Sequence, residues 1–338
     1  MQLDPIGWDR PNFTGSGGKA PYEVEDLKMA IEADPAPPVR PYDQLKAKTV
    51  KEVRPGVYIL DFGQNLAGFA HLKVRGENGQ RITLRFAEAL NSDGTIYTTN
   101  LRGARATDHY ICRGNGVEEW SPRFTFHGFQ YVEVSGLGHA PKAGGDEIVA
   151  LAISSATPES GRFECSDPMI NQLSHNAWWT QKMNFIDVPT DCPQRDERLG
   201  WTGDAQAYIR TASMYSDVQP FFAKWLQSLE DDQRADGQFP MVAPLKVAED
   251  DGGPAWADAG VICPWTIYDV YGDKRQLADR YESMKRFVEF CRARSKPDLL
   301  PPDRFHCFGD WLSINANTPN EVIYEAYFAG SARLLAQS

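Results

Sequence analysis

The apolar positions of this chain change period near residue 155. Before that point short runs alternate between apolar and polar residues. Gly56 to Gly63 and Gly68 to Arg75 form two such runs, and Gln80 to Glu88 a third, with Ile82, Leu84 and Phe86 on one face. Glu77-Asn78-Gly79 supplies a tight turn between the second and third. Further runs at 106–112, 119–126, 130–134 and 147–153 complete a series of short strands with no helical crossover between them. The spacing predicts an antiparallel β-sandwich over residues 46–155.

After a Ser/Thr/Pro/Gly-rich linker the period becomes helical. Ser166 is the expected cap of a first helix that carries Pro168 in its first turn and runs to Met183, with Ile170, Leu173, Ala177 and Trp178 on one stripe. Further helices are predicted at 204–214, 218–234, 256–271, 276–294 and 319–336, the last capped by Asn317 or Thr318. The segments 235–255 and 295–317 are longer than a compact bundle needs, which suggests loops lining a site. Residues 1–45, with Pro35, Pro37, Pro38 and Pro41 close together, read as a connector or the tail of a preceding module.

Composition narrows the partners. The 338 residues are 42% hydrophobic and 24% charged, with a net charge of -11 and no basic cluster, which argues against a nucleic-acid partner. No run approaches the length of a membrane span, and no basic-then-apolar leader opens the chain. As written it is expected to be cytoplasmic; an incomplete N-terminus would leave an extracytoplasmic location open. Six dispersed cysteines read as free thiols, and six scattered histidines without ligand spacing imply no metal and no cofactor. The oligomeric state is not readable.

The candidate chemistry lies between the first two helices. Asp187 to Asp204 places five carboxylates (Asp187, Asp191, Asp196, Glu197, Asp204), two arginines (Arg195, Arg198) and Trp201 within 18 residues. A solvated, charge-laced connection is the plain alternative. Trp201 and Leu199 weigh against it, because both are costly to leave in water. An indole can cover the apolar face of a sugar ring, guanidinium and carboxylate groups can bond its hydroxyls, and clustered carboxyls can divide into one protonated and one ionised. Two later loops repeat acid with indole: Glu249 to Asp258, which holds Trp256, and Arg304 to Leu312, which holds Asp310 and Trp311. In a toroid of helical hairpins alternate loops converge at one end, so Trp201, Trp256 and Trp311 would wall one pocket. Closing such a toroid needs more helices than these.

The segment Asp191-Cys-Pro-Gln-Arg-Asp-Glu-Arg-Leu-Gly-Trp-Thr-Gly-Asp204 resembles the signature of bacterial-type α-L-rhamnosidases of glycoside hydrolase family 78. Asp61 to Gly68, Leu84 to Glu88, Phe126 to Val132, Phe308 to Leu312 and Ala326 to Ala329 resemble further stretches of that family. The resemblance implies a β-sandwich followed by the first half of an (α/α)6 barrel, over 156–338, acting on a rhamnose-containing glycoside or polysaccharide. It assigns Glu197 as general acid, with Asp191, Arg195, Trp201, Asp204, Trp256 and, less directly, Trp311 around the sugar. An inverting reaction also needs a second carboxylate about 6.5–9.5 Å from the acid. The family's base lies later in the barrel and no residue here matches it; Asp258, Asp310 and Glu325 are unplaced substitutes. Little or no hydrolase activity is therefore expected of this chain alone. Two other functions stay open: a carbohydrate-binding or assembly module without catalysis, and a barrel enzyme acting on uronic acids, which would line its pocket with more positive charge than Arg195 and Arg198 alone.

Overall fold

The computed structural model describes residues 10–14, 22–25, 28–29, 31, 33–248, 253–315 and 317–338. Ten strands precede the first α-helix: β1 (Val39–Lys46), β2 (Thr49–Arg54), β3 (Val57–Arg75), β4 (Arg81–Ala87), β5 (Ala89–Leu90), β6 (Ile96–Tyr97), β7 (Thr107–Ile111), β8 (Val117–Trp120), β9 (His127–Ser135) and β10 (Ile148–Ser155). Eight of them form one antiparallel sheet in the order β1-β10-β3-β9-β4-β7, with β2 and β8 also paired to β3, while β5 and β6 make a separate ribbon.

The two runs expected at 56–63 and 68–75 are one 19-residue strand. The first part of β3 pairs with β2 and β9 and its last part with β10 and β8, and the register with β9 shifts between Asp61 and Leu66. A strand that changes partners along its length curls the sheet over itself. The result is a half-barrel, a continuous curled sheet consistent with the expected sandwich-like arrangement. Leu60, Phe62, Leu66, Leu72, Phe86 and Phe129 fill its concave side.

Two local expectations need correction. The run 119–126 is strand only to Trp120, since Pro122 has no N–H for a ladder. The proline-rich connector also ends in structure: Val39–Lys46 pairs with β10, and Pro41 sits at the irregularity of that register.

The helical region comprises α1 (Pro168–Asn184), α2 (Thr202–Tyr215), α3 (Gln219–Asp231), α4 (Ala259–Tyr271), α5 (Lys274–Arg294) and α6 (Asn320–Gln337), with a short hairpin of β11 (Phe185–Ile186) and β12 (Val188–Pro189) after α1. Asp167 caps α1, its side chain accepting from the Met169 N–H at 2.8 Å, in place of Ser166. Pro319 occupies the cap position of α6, where Asn317 or Thr318 was expected. The anticipated stripe on α1 is only half used: Ile170 and Leu173 are exposed, while Trp179 and Met183 are buried. The C-terminal half of α1 is the part that meets the sheet, where Tyr42 of β1 packs against Trp178 and Trp179 at 6.0 and 5.8 Å.

The other helices gather on α4, which contacts α2, α3, α5 and α6. A helix surrounded in this way must be apolar on all sides, and Ala259, Val261, Cys263 and Ile267 are buried accordingly. Gly260 permits the closest approach: a Cβ there would lie 2.1 Å from the Phe239 ring. Asp258, just before α4, is buried and accepts from Ser331 Oγ of α6 at 2.6 Å and from the Ala255 N–H at 3.0 Å. Burial pushes its carboxyl up to about 6. Four helices around α4, with α1 against the sheet, do not close a ring, so the described residues show a helical region and not a complete (α/α)6 barrel. No disulfide joins the six cysteines, and no described helix is long and apolar enough to cross a membrane.

Two stability predictions follow from α4. Gly260→Ala is expected to cost about 1–3 kcal/mol in urea unfolding, by forcing Phe239 aside; an unchanged midpoint would show that the approach is not tight. For Asp258 the folded chain holds the proton more strongly than the unfolded chain, so its contribution falls as pH rises from about 4 to 6 and is constant above. Asp258→Asn should therefore gain stability over the parent as pH rises, by on the order of 3 kcal/mol at most. A difference that stays the same at pH 4 and pH 7 would contradict the buried carboxyl.

Candidate active site

The polar loop is irregular but not loose. The Asp191 N–H donates to Leu199 O at 3.0 Å and the Leu199 N–H returns to Asp191 Oδ1 at 2.9 Å, closing the loop on itself. Its end is tied to the segment after α3, by Thr202 N–H to Met241 O at 3.0 Å and Ala243 N–H to Gly200 O at 2.9 Å. Arg198, at φ 56°, faces the opposite way. Its guanidinium donates to Phe126 O of the sheet region at 2.6 Å and to Pro193 O at 3.0 Å, and lies 4.1 Å from the centre of the Phe126 ring.

Of the five carboxylates, three converge. Glu197 is held from three sides: Oε2 by Arg195 at 2.6 Å and by Arg102 at 3.0 Å, and Oε1 by the Trp201 indole N–H at 3.1 Å. Asp191 lies on the same cluster, 3.8 Å from the Arg195 guanidinium and hydrogen-bonded to Glu197. Asp204 enters from the first turn of α2. The other two serve elsewhere, Asp187 in an ion pair with Lys224 at 2.9 Å and Asp196 as acceptor of the Gly103 N–H at 3.0 Å.

Three carboxyls this close cannot all be equally acidic. Burial raises Glu197, but the Arg195 guanidinium outweighs it, helped by the hydrogen bonds from Asp191 and Trp201, and holds Glu197 below its ordinary range. Asp191 is raised, chiefly by burial and also by the Glu197 charge. Asp204 has an exposed surface yet is crowded by protein, and burial together with the Asp191 and Glu197 charges pushes it up to about 6. A cavity of about 170 Å³ lined by Phe185, Tyr208 and Phe222 backs Asp191 and Asp204.

The three indoles meet through a residue that sequence reasoning did not single out. Phe308 lies 5.7 Å from Trp201, 4.9 Å from Trp256 and 5.8 Å from Trp311, centre to centre. Trp256 is buried against α2, where Gly203 leaves room: a Cβ there would come 2.6 Å from the indole. Trp311 is 61% exposed. Asp204, Trp256, Asp310, Trp311 and Tyr327 line a cleft of about 430 Å³. The other unforeseen member is Arg102, from the loop before β7. Its only signal was a basic turn, Arg102-Gly103-Ala104-Arg105, in a region read as packing strands.

The possible bases separate. Asp258 is buried on Ser331, Asp310 accepts from Thr318 Oγ1 at 3.0 Å at the cleft wall, and Glu325 is exposed on α6. Glu249 to Gly252 lie outside the described residues. Donor atoms of Asp191, Cys192 and Glu197 come within 4.8 Å of one another. The set suits a cation poorly, because Arg195 already supplies the positive charge and burial pushes the Cys192 thiol up to about 12.

Residues 158–338 match the bacterial alpha-L-rhamnosidase 6 hairpin glycosidase domain, and residues 51–154 match the bacterial alpha-L-rhamnosidase concanavalin-like domain. An alpha-L-rhamnosidase of Streptomyces avermitilis is 43% identical over 335 residues, covering 99% of this chain and 32% of that protein. The crystal structure of the Streptomyces avermitilis α-L-rhamnosidase complexed with L-rhamnose superposes with a TM-score of 0.87 at 44% identity, covering 91% of this chain and 29% of that one. The native enzyme from Aspergillus terreus superposes at 0.93 with 34% identity, covering 99% and 40%. The chain thus spans about a third of the length of the curated relatives it matches. By the match over its helical region, with the sheet region in agreement, this chain belongs to the bacterial α-L-rhamnosidase family.

Proposed function

We propose that the chain carries the acid side of a site that releases terminal α-L-rhamnose from rhamnosides with inversion. The observation that supports this best is Glu197, gripped by Arg195, Arg102 and Trp201 beside a cleft walled by Trp256 and Trp311. The indoles cover the apolar face of the sugar. Asp204 and Asp191 accept its hydroxyl hydrogens, and Glu197 protonates the leaving oxygen. Burial raises Asp191 and Arg195 lowers Glu197, and the two are hydrogen-bonded, so of the pair Asp191 holds a proton more readily than Glu197. Among the described residues no carboxylate is assigned the part of base.

One observation favours a second reading, carbohydrate binding without turnover. As found, Glu197 is paired with two guanidinium groups and is set up to accept hydrogen bonds, not to give a proton.

Binding and chemistry separate experimentally. Rhamnose should perturb the tryptophan fluorescence of the chain, with affinity rising between pH 5 and 7 as Asp204 ionises and becomes an acceptor for hydroxyls. Asp204→Asn should weaken binding about tenfold and flatten that dependence; a flat profile in the parent chain would remove Asp204 from the sugar. An aryl α-L-rhamnoside should be bound but hydrolysed no faster than background. Rhamnose release that disappears in Glu197→Gln would show instead that a base lies within these residues.

A further inference from the structure

Arg102 reaches Glu197 from a backbone position that is costly to hold. It follows a single turn of 3-10 helix (Thr99–Leu101) and has φ 53° and ψ -120°, a conformation suited to glycine. A residue with a side chain keeps it only where the surroundings impose it. The next residue is equally committed. The Gly103 N–H donates to Asp196 Oδ2 at 3.0 Å, and a Cβ there would lie 2.6 Å from that oxygen. Two consecutive residues of the sheet region thus grip two consecutive carboxylates of the polar loop, Gly103 on Asp196 and Arg102 on Glu197 at 3.0 Å.

The turn is held by Glu88, the residue just after β4. Its Oε2 accepts from Asn100 Nδ2, within the turn, at 3.0 Å, and its Oε1 from Asn65 Nδ2 of β3 at 2.9 Å. Bonds to an ionised acceptor are the strong ones. The Oδ1 atoms of both amides are buried without a partner, so among the described residues neither side chain is tied to anything but Glu88. Asn65 is aimed by the sheet itself. It lies in the stretch between Asp61 and Leu66 where β3 shifts register against β9, a stretch shaped by Gly63 at φ 69° and by Asp61 Oδ1, which accepts from the Gly63 N–H at 2.7 Å. An irregularity of this kind re-aims a side chain. On the turn itself, the buried Leu101 adds an apolar anchor beside Asn100.

We propose that Glu88 is a positioning residue for the acid: through Asn100 it fixes the turn that presents Arg102 to Glu197, and through Asn65 it ties that turn to the irregular stretch of β3. The inference rests on the reading of Glu197 as the acid. It gives a task to two stretches that line no part of the indole-walled cleft, Asp61 to Gly68 through Asn65 and Leu84 to Glu88 through Glu88. A carboxylate kept only to close the sheet finds its partners within the sheet. Glu118 is one: it accepts from the Tyr110 hydroxyl at 2.6 Å and from the N–H groups of Arg113 and Gly114, all in its own hairpin. Glu88 instead runs from a strand to the turn that meets the polar loop.

NMR of the 338-residue chain tests this by two signals, the Glu197 carboxyl carbon and the indole N–H of Trp201, which donates to Glu197 Oε1. Glu88→Ala should shift the indole signal and raise the titration of Glu197 as Arg102→Gln does, and the double variant should add nothing further, because one path is cut twice. Glu88→Gln should behave as the parent, its amide accepting from one asparagine and donating to the Oδ1 of the other. Glu118→Ala, the matched loss elsewhere in the sheet, should lower the urea midpoint and leave both signals in place. Asn100→Ala cuts the path at the turn and keeps the bond of Asn65 to Glu88, so it decides the matter if Glu88→Ala does not fold. Unchanged signals in folded Asn100→Ala would overturn the proposal, and so would the same shifts in Glu118→Ala. The signals follow the carboxylate and not turnover, so the proposal can fail while Glu197 remains the acid.

Discussion

Everything in the site depends on how one irregular loop is seated between a sheet and a helical layer. A loop that is neither helix nor strand must find partners for its backbone groups outside the usual ladders. Residues 190 to 202 do so in three directions: onto themselves through Asp191 and Leu199, onto the helical side through Gly200, Thr202 and the Met241 to Ala243 segment, and onto the sheet side through Arg198 and Phe126 O. The two regions are fastened beside it, where Ser154 Oγ donates to Phe185 O at 3.1 Å and the Asp187 N–H donates to Ser155 Oγ at 3.0 Å. The position of Glu197 is thus a property of the docked pair. A helical region without its sheet would lose Arg102 from the acid and Phe126 O from Arg198.

That docking also sets the electrostatics. Arg195 and Arg102, one from each region, pair with Glu197, and Arg195 holds it below its ordinary range, while burial first and the neighbouring charges after it raise Asp191 and Asp204. Three carboxyls of similar intrinsic acidity are separated into one ionised and two that hold protons more readily. Such a division is what a site handling both protons and hydroxyl groups requires. On the aromatic side Phe308 touches all three indoles, of which Trp256 and Trp311 line the cleft and Trp201 does not.

Much of this was legible in the sequence, for identifiable reasons. Local period marked the strands and helices, because a buried face repeats every second or about every 3.6 residues. Composition marked the polar loop, and repetition of acid with indole led to the meeting of Trp201, Trp256 and Trp311, which the structure gathers on Phe308. The unread part is long-range. Nothing local shows that β3 continues through Gly63 and binds both halves of the sheet, that Val39–Lys46 leaves the proline-rich segment to pair with β10, or that Ile170 and Leu173 stay outside while Trp179 goes in. Arg102 was unread for the same reason, since it lies 95 residues before the carboxylate it holds.

Carbon-13 NMR of the chain labelled at the glutamate side-chain carboxyl carbons reports the state of Glu197 directly. If arginines from both regions hold it ionised, Glu197 titrates below the ordinary glutamate range in the parent chain and shifts upward in Arg102→Gln. A Glu197 that titrates above the ordinary range, or does not move when Arg102 is replaced, would contradict a site assembled across the two regions.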